Sequence, residues 1–206
     1  AGGLFKLNPR YYFTLPAQYE KRLVKMGFSP AEAKALAELY PLSEFDNRPV
    51  KAIGRMTGVD AAFGCETYEG LLAASAHEFN VFFYRFDYDG FRFSGAAGVA
   101  HAMEMPYIFD SLDRAPVSPL YGKKEREQAA PVVKVMQGYW LNFAKTGDPN
   151  GPGLPSWPRF DLENPMVQVL ELPTRTEPAG MAEKCEFWDQ YNQQRGPIFE
   201  TMGRPE

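Results

Sequence analysis

The sequence is poor in cysteine and histidine: its 206 residues include only two of each, Cys65 and Cys185, His77 and His101. Two cysteines exclude a disulfide-dense miniprotein and any four-cysteine zinc site. Two histidines far apart, with no matching pair, make a poor ligand set, so neither a metal nor another cofactor is expected. An excess of positive charge is also lacking. Against 22 Lys+Arg stand 26 Asp+Glu, a net charge of −4, and the basic stripe of a nucleic-acid surface is absent. No apolar run approaches the ~18–20 residues needed to cross a bilayer, so no membrane span is expected. The opening residues lack a charged segment followed by an apolar stretch, so no signal peptide is read at Ala1. A nucleophile elbow is missing too. None of Ser29, Ser43, Ser75, Ser94, Ser111, Ser118 or Ser156 has Gly two places before and two places after it.

What is present is a core-forming composition. Hydrophobic residues make up 45% and aromatics 15%, which rules out disorder, while 18 Gly and 18 Pro announce abundant loops. Ala1–Phe5 reads as loop entering a short extended piece. Tyr19, Leu23, Val24 and Met26 interleave with charge over 16–27 and Gly27 stops them, an amphipathic helix. Ser29-Pro30-Ala31-Glu32 is a capping box with Pro at the first helical position, and that helix must end before Pro41. A further helix is expected from Asp60 to about His77, on the spacing of Tyr68, Leu71, Leu72 and Ala76. Val81–Phe86 is a continuous apolar run, the pattern of a buried strand, closed by the turn Asp87–Gly90. An irregular stretch, 91–121, follows. Helical spacing returns after Pro131, with Val132, Val133, Met136, Trp140 and Phe143 on one face and Gly147 as its left-handed cap. Met166–Glu171 reads as a second strand and Glu183–Tyr191 as a last helix.

Strand, crossover helix, strand is a βαβ unit, which predicts parallel pairing. Two parallel strands do not form a stable sheet alone, so the sequence reads as the end of a larger α/β sheet. His101 lies beyond the 81–86 strand, on the side where open α/β sheets place their sites. It fits a general base, or a core histidine satisfied by a backbone carbonyl, and the residue pattern alone favours the second. Cys65, in an apolar helix with no adjacent His, is a poor nucleophile candidate. His77, at a polar helix end, reads as solvated. Met103, Met105 and the Phe-rich strand read as core, and Lys123–Glu127, of mixed sign, as a solvated face.

Gly98-Val99-Ala100-His101-Ala102-Met103-Glu104-Met105-Pro106-Tyr107-Ile108-Phe109 resembles the G-x-x-H-x-x-E-[IL]-P-Y-V-F segment of type-B carboxylesterases, the cholinesterase-like branch of the α/β-hydrolases. Tyr139–Asn150 is similar to that family's Y-W-x-N-F-A-K-T-G-D-P-N segment. Pro155-Ser156-Trp157-Pro158, Lys184-Cys185-Glu186-Phe187-Trp188 and Asp60-x-x-Phe63-x-Cys65 follow the same pattern. The resemblance implies an α/β fold, the C-terminal part of an α/β-hydrolase with an incomplete, mostly parallel sheet and flanking helices. Residues 1–206 would then lie within one domain without an internal boundary.

By the same resemblance His101 is the catalytic histidine of a Ser-Glu-His triad, with Ser and Glu on the N-terminal side of Ala1. The N-terminal part of the same protein is then its partner. Glu104 would belong to a buried network behind the histidine, a salt bridge unrelated to catalysis being the other reading. Cholinesterases carry an aromatic residue where Met103 stands, so a neutral carboxylic ester is expected rather than choline, with Phe93 and Met103 as pocket residues. Cys65 and Cys185 resemble the half-cystine segments of secreted members; the alternative is two buried thiols. A bridge implies a secreted or periplasmic protein, since cytosolic thiols stay reduced, with the cytoplasm left open. From a different class, a non-catalytic cholinesterase-like binding or adhesion domain is the competing function.

Overall fold

The computed structural model describes residues 13–77, 79–94, 99 and 101–198; the expected extended piece at Ala1–Phe5 lies outside them. The chain divides into two compact units. One comprises the residues up to Tyr68 together with those from Gly180 onward, the other Glu69–Ala179.

The first unit is helical. Helix α1 spans Tyr19–Lys25 and is stopped by Gly27 at φ 103°, a backbone that side chains with a Cβ rarely adopt. Helix α2 spans Pro30–Leu39 and starts on the expected capping box. Glu32 N–H donates to Ser29 Oγ (3.3 Å), and Ser29 N–H donates to Glu32 Oε2 (2.6 Å). The next helix begins well before Asp60. Helix α3 (Pro49–Arg55) widens into π turns over Met56–Gly64 and continues as α4 (Cys65–Ala76), which crosses from the first unit into the second after Tyr68. Gly54 and Gly58 hide this start from sequence, because glycine weakens helical patterning. Within it Thr57 Oγ1 donates to the Ile53 carbonyl (2.8 Å), competing with the regular backbone ladder.

Helix α7 (Ala182–Arg195) completes this unit. Its Trp188 is fully buried, meets Phe28 edge-on at 6.2 Å and donates its indole N–H to Tyr40 Oη at 2.9 Å. Arg55 Nε donates to Asp60 Oδ1 at 2.7 Å, and the Asp60 side chain is wholly buried. Gly64 leaves room for that carboxylate, since a Cβ there would sit 3.1 Å from Asp60 Oδ1. Cys65 and Cys185 form the disulfide that the family resemblance implied, with Cα atoms 5.2 Å apart across 120 residues of sequence.

The second unit holds a three-stranded sheet in the order β1 (Tyr84–Phe86), β2 (Met166–Leu170), β3 (Arg175–Pro178). β1 and β2 pair in parallel, Tyr84 opposite Gln168 and Phe86 opposite Leu170, as the βαβ reading required. β3, antiparallel to β2, was not foreseen. Its Arg-Thr-Glu-Pro carries no apolar alternation, and charges hold it at the edge: Arg175 Nε pairs with Glu171 at 2.7 Å and Arg85 with Glu177 at 2.8 Å. The Val81–Phe86 run is less buried than expected, for only Val81 and Phe86 are covered. Phe82, Phe83 and Tyr84 are half-covered, their rings edge-on to Trp157, Phe160 and Trp140.

A single helical turn, α5 (Met105–Ile108), and the long α6 (Lys123–Thr146) lie between β1 and β2 in the chain. Helix α6 begins before Pro131 rather than after it. Pro131 and Glu127 are both exposed, so the carbonyl that proline cannot bond faces water. The buried stripe is Ala129, Val132, Val133, Met136 and Tyr139, while Phe143 is 44% exposed. Gly147, at φ 76°, closes the helix as expected, its N–H donating to the Phe143 carbonyl. Buried Gln168 is satisfied through Nε2 to Tyr139 Oη (3.1 Å) and through Oε1, which accepts from Thr176 Oγ1 (2.7 Å). Among the described residues no helix is long and apolar enough to cross a membrane.

Candidate active site

The candidate site grows from the carboxyl end of β1. Past Phe86 the backbone stays engaged, Asp87 N–H and Tyr88 N–H both donating to the Leu170 carbonyl at 3.2 and 3.1 Å. The chain then turns at Gly90, where a Cβ would collide with the Tyr88 side chain. Phe91 is buried, and Arg92 N–H donates to the Leu120 carbonyl at 3.0 Å, so both ends of the irregular stretch are tied together. Between those ties lie Phe93, His101, Met103 and Glu104. These four share one connection of the second unit, as their nearness in the chain requires, whereas Cys65 and Cys185 lie in the first unit.

Phe93 is 77% exposed and adopts φ 66°. His101 is exposed on a turn, and Ala102, also exposed, follows at φ 61°. The turn is anchored by what comes next. Met103 is buried among Phe86, Tyr107 and Leu170 in the core of this unit, and the Met105 N–H donates to the Ala102 carbonyl at 3.3 Å. Tyr107, fully buried, meets the Phe86 ring at 4.9 Å and the Tyr88 ring at 5.6 Å, and donates its hydroxyl proton to Tyr121 Oη at 3.1 Å. Burial first, and the Tyr121 hydroxyl second, push the Tyr107 phenol far above its ordinary range. This aromatic footing holds the short α5 turn in place.

Glu104, half-buried, begins α5, and its carbonyl accepts from the Tyr107 and Ile108 N–H groups at 3.0 and 3.2 Å. Burial raises the Tyr84 phenol, and the Glu104 charge raises it further, so this carboxylate bears electrostatically on the first residue of β1. Phe93 presents its ring outward, whereas Met103 is engaged with the core. His77 is exposed just past α4, and Cys65 is consumed by the disulfide. Among the described residues no group of three or more His, Cys, Asp or Glu could hold a metal ion. The left-handed backbone of Ala102 was missed, because alanine carries no sequence signal for positive φ.

Comparison with known proteins decides the family. The model of the carboxylesterase family matches residues 17–188. The chain belongs to the carboxylesterase family. Phenmedipham hydrolase of Pseudarthrobacter oxydans is 37% identical over 87 residues, which are 42% of this chain and 18% of that protein. Carboxylesterase 4A of Bos taurus is 32% identical over 161 residues, 74% of this chain and 27% of that protein. Among solved structures, the carboxylesterase EST55 of Geobacillus stearothermophilus superposes with a TM-score of 0.60 at 26% identity, covering 90% of this chain and 37% of that one. The fold is accordingly part of an α/β-hydrolase. The chain spans roughly a fifth to a quarter of the length of the curated relatives it matches.

Proposed function

We propose that this carboxylesterase-family chain is the C-terminal part of one α/β-hydrolase domain and supplies the general base of a carboxylic ester hydrolase. The observation that carries the reading is the exposure of His101 on a turn anchored by buried Met103 and Tyr107, within the segment that resembles the family's catalytic histidine motif. A serine from the N-terminal part of the same protein attacks the ester carbonyl, and its Oγ–C bond forms as His101 takes the Oγ proton. The tetrahedral intermediate collapses with cleavage of the ester C–O bond, and His101 returns the proton to the departing alkoxide. Water then repeats the sequence on the acyl-enzyme, with His101 again as base. A glutamate, also N-terminal to Ala1, orients the imidazole, and Glu104 supports it from behind. Phe93 and Met103 are assigned to the substrate side, and the non-aromatic Met103 suits a neutral ester over a quaternary ammonium. The disulfide supports a secreted or periplasmic setting.

The test is a pair of substitutions in the full-length protein, assayed with p-nitrophenyl acetate. His101→Ala is expected to lower kcat/KM by roughly 10⁴ or more, since triad members fail together. Glu104→Gln is expected to cost about 10–100-fold, the usual effect of an outer supporting group. Equal losses would make Glu104 the orienting acid. A full-length protein with no esterase activity would instead support the binding-domain reading. The 206-residue chain alone is expected to show no turnover, and turnover abolished by His101→Ala there would reveal a nucleophile within it.

A further inference from the structure

Five non-glycine residues among those described adopt positive φ: Asp46, Asn47, Phe93, Ala102 and Asp110. Asp and Asn tolerate the left-handed region because their short polar side chains bond locally, whereas alanine has no such means and places its Cβ against the following carbonyl. Ala102, at φ 61°, is the residue directly after His101. Its side chain is exposed, so the methyl adds nothing to the core, and its effect passes through the backbone.

We infer that Ala102 is a positioning residue for His101, narrowing the backbone on which the imidazole is carried. The inference rests on the proposed catalytic role of His101. Glycine at this position could roam the whole positive-φ half of conformational space. A residue with a Cβ has only the small left-handed well there. The C-terminal side of Ala102 is held by the Met105 N–H on its carbonyl, by buried Met103 and by fully buried Tyr107. With that side fixed, rotation at residue 102 moves the preceding histidine relative to it. Unfavourable backbone persists where the surroundings over-determine it, and such residues gather at reacting sites. Here the constraint comes from the Met105 N–H on the Ala102 carbonyl and from buried Met103, the next residue in the chain.

The test uses the full-length protein with Ala102→Gly, Ala102→Asn and His101→Ala, assayed for p-nitrophenyl acetate hydrolysis. Glycine accepts this φ without strain, so Ala102→Gly folds. Its kcat is expected to fall roughly ten- to a hundredfold, the scale of a misplaced catalytic group, with KM within about twofold of the parent. Ala102→Asn keeps a Cβ, tolerates the left-handed region and is expected to retain kcat within about threefold. A parental kcat in Ala102→Gly would overturn the inference, as would an Ala102→Asn as slow as Ala102→Gly. A purely structural role would shift the melting temperature and leave kcat alone. Activity surviving in His101→Ala would sink the proposed function and, with it, this inference, whereas the Gly and Asn outcomes bear on Ala102 alone.

Discussion

Both units pack aromatic rings, Trp188 against Phe28 in the first and Trp157 against Tyr139 in the second, and they differ in the covalent cross-link that the first adds. The first gathers residues up to Tyr68 and from Gly180 onward, and it closes that long separation with a disulfide spanning 120 residues. The second is one continuous stretch, Glu69–Ala179, and it relies on packed aromatic rings and the Gln168 hydrogen bonds. Joining remote segments costs closure entropy that grows with the intervening chain, and a covalent bond removes that cost from the unfolded state. A contiguous unit meets a smaller closure cost, and side-chain burial suffices. The division also separates the cross-link from the proposed chemistry: the disulfide lies in one unit, and the connection bearing His101 in the other. Binding and catalytic groups characteristically sit on loops carried by a rigid scaffold. Here the turn that carries His101 is followed in the chain by buried Met103 and Tyr107.

Removing the disulfide is the strongest way to test this contrast. Cys65→Ser with Cys185→Ser is expected to destabilise the first unit by about 4–5 kcal/mol at most, the loop-closure figure for 120 residues. Amide hydrogen exchange should accelerate in α2 and α7 more than in β2. Equal acceleration in β2 would mean that the units do not differ in what holds them. The counterpart in the second unit is Trp157→Ala. Trp157 meets Tyr139 at 5.0 Å and Phe82 at 6.0 Å and donates its indole N–H to the Phe83 carbonyl at 3.1 Å. Its loss is expected to cost roughly 3–5 kcal/mol, with exchange rising first in β1 and β2. A smallest and most local effect comes from Ser29→Ala, which removes one half of the capping box. It is expected to cost ~1 kcal/mol, read as faster exchange at the first turn of α2 and unchanged exchange in α6.

How much of this was legible in sequence depended on how far each signal reaches. The capping box at Ser29, the stops at Gly27 and Gly147, and the parallel pairing of β1 with β2 followed from residues a turn apart or from the order of the elements. The His101 segment was legible as a family motif, whereas its residue pattern alone favoured an ordinary core histidine, and the residue is exposed. β3 was not legible, because its four residues earn their place through β2 and through Arg85, far away in the chain. Pro131 suggested a helix start and proved tolerable inside α6, since the carbonyl it leaves unbonded lies on the exposed side.

By itself, then, the sequence determined the local caps, the principal strands and most of the helices, the motif histidine and, through resemblance, the pairing of its two cysteines. Tertiary structure alone decided the π turns over Met56–Gly64, the burial of Asp60 against Arg55, the capture of β3 and the left-handed backbone at Ala102. The reason is physical. Caps and amphipathic periods act within one or two turns, where a residue's own propensity prevails. An unfavourable φ or a buried charge persists only when groups distant in sequence supply compensating contacts, and nothing in the local residues announces them.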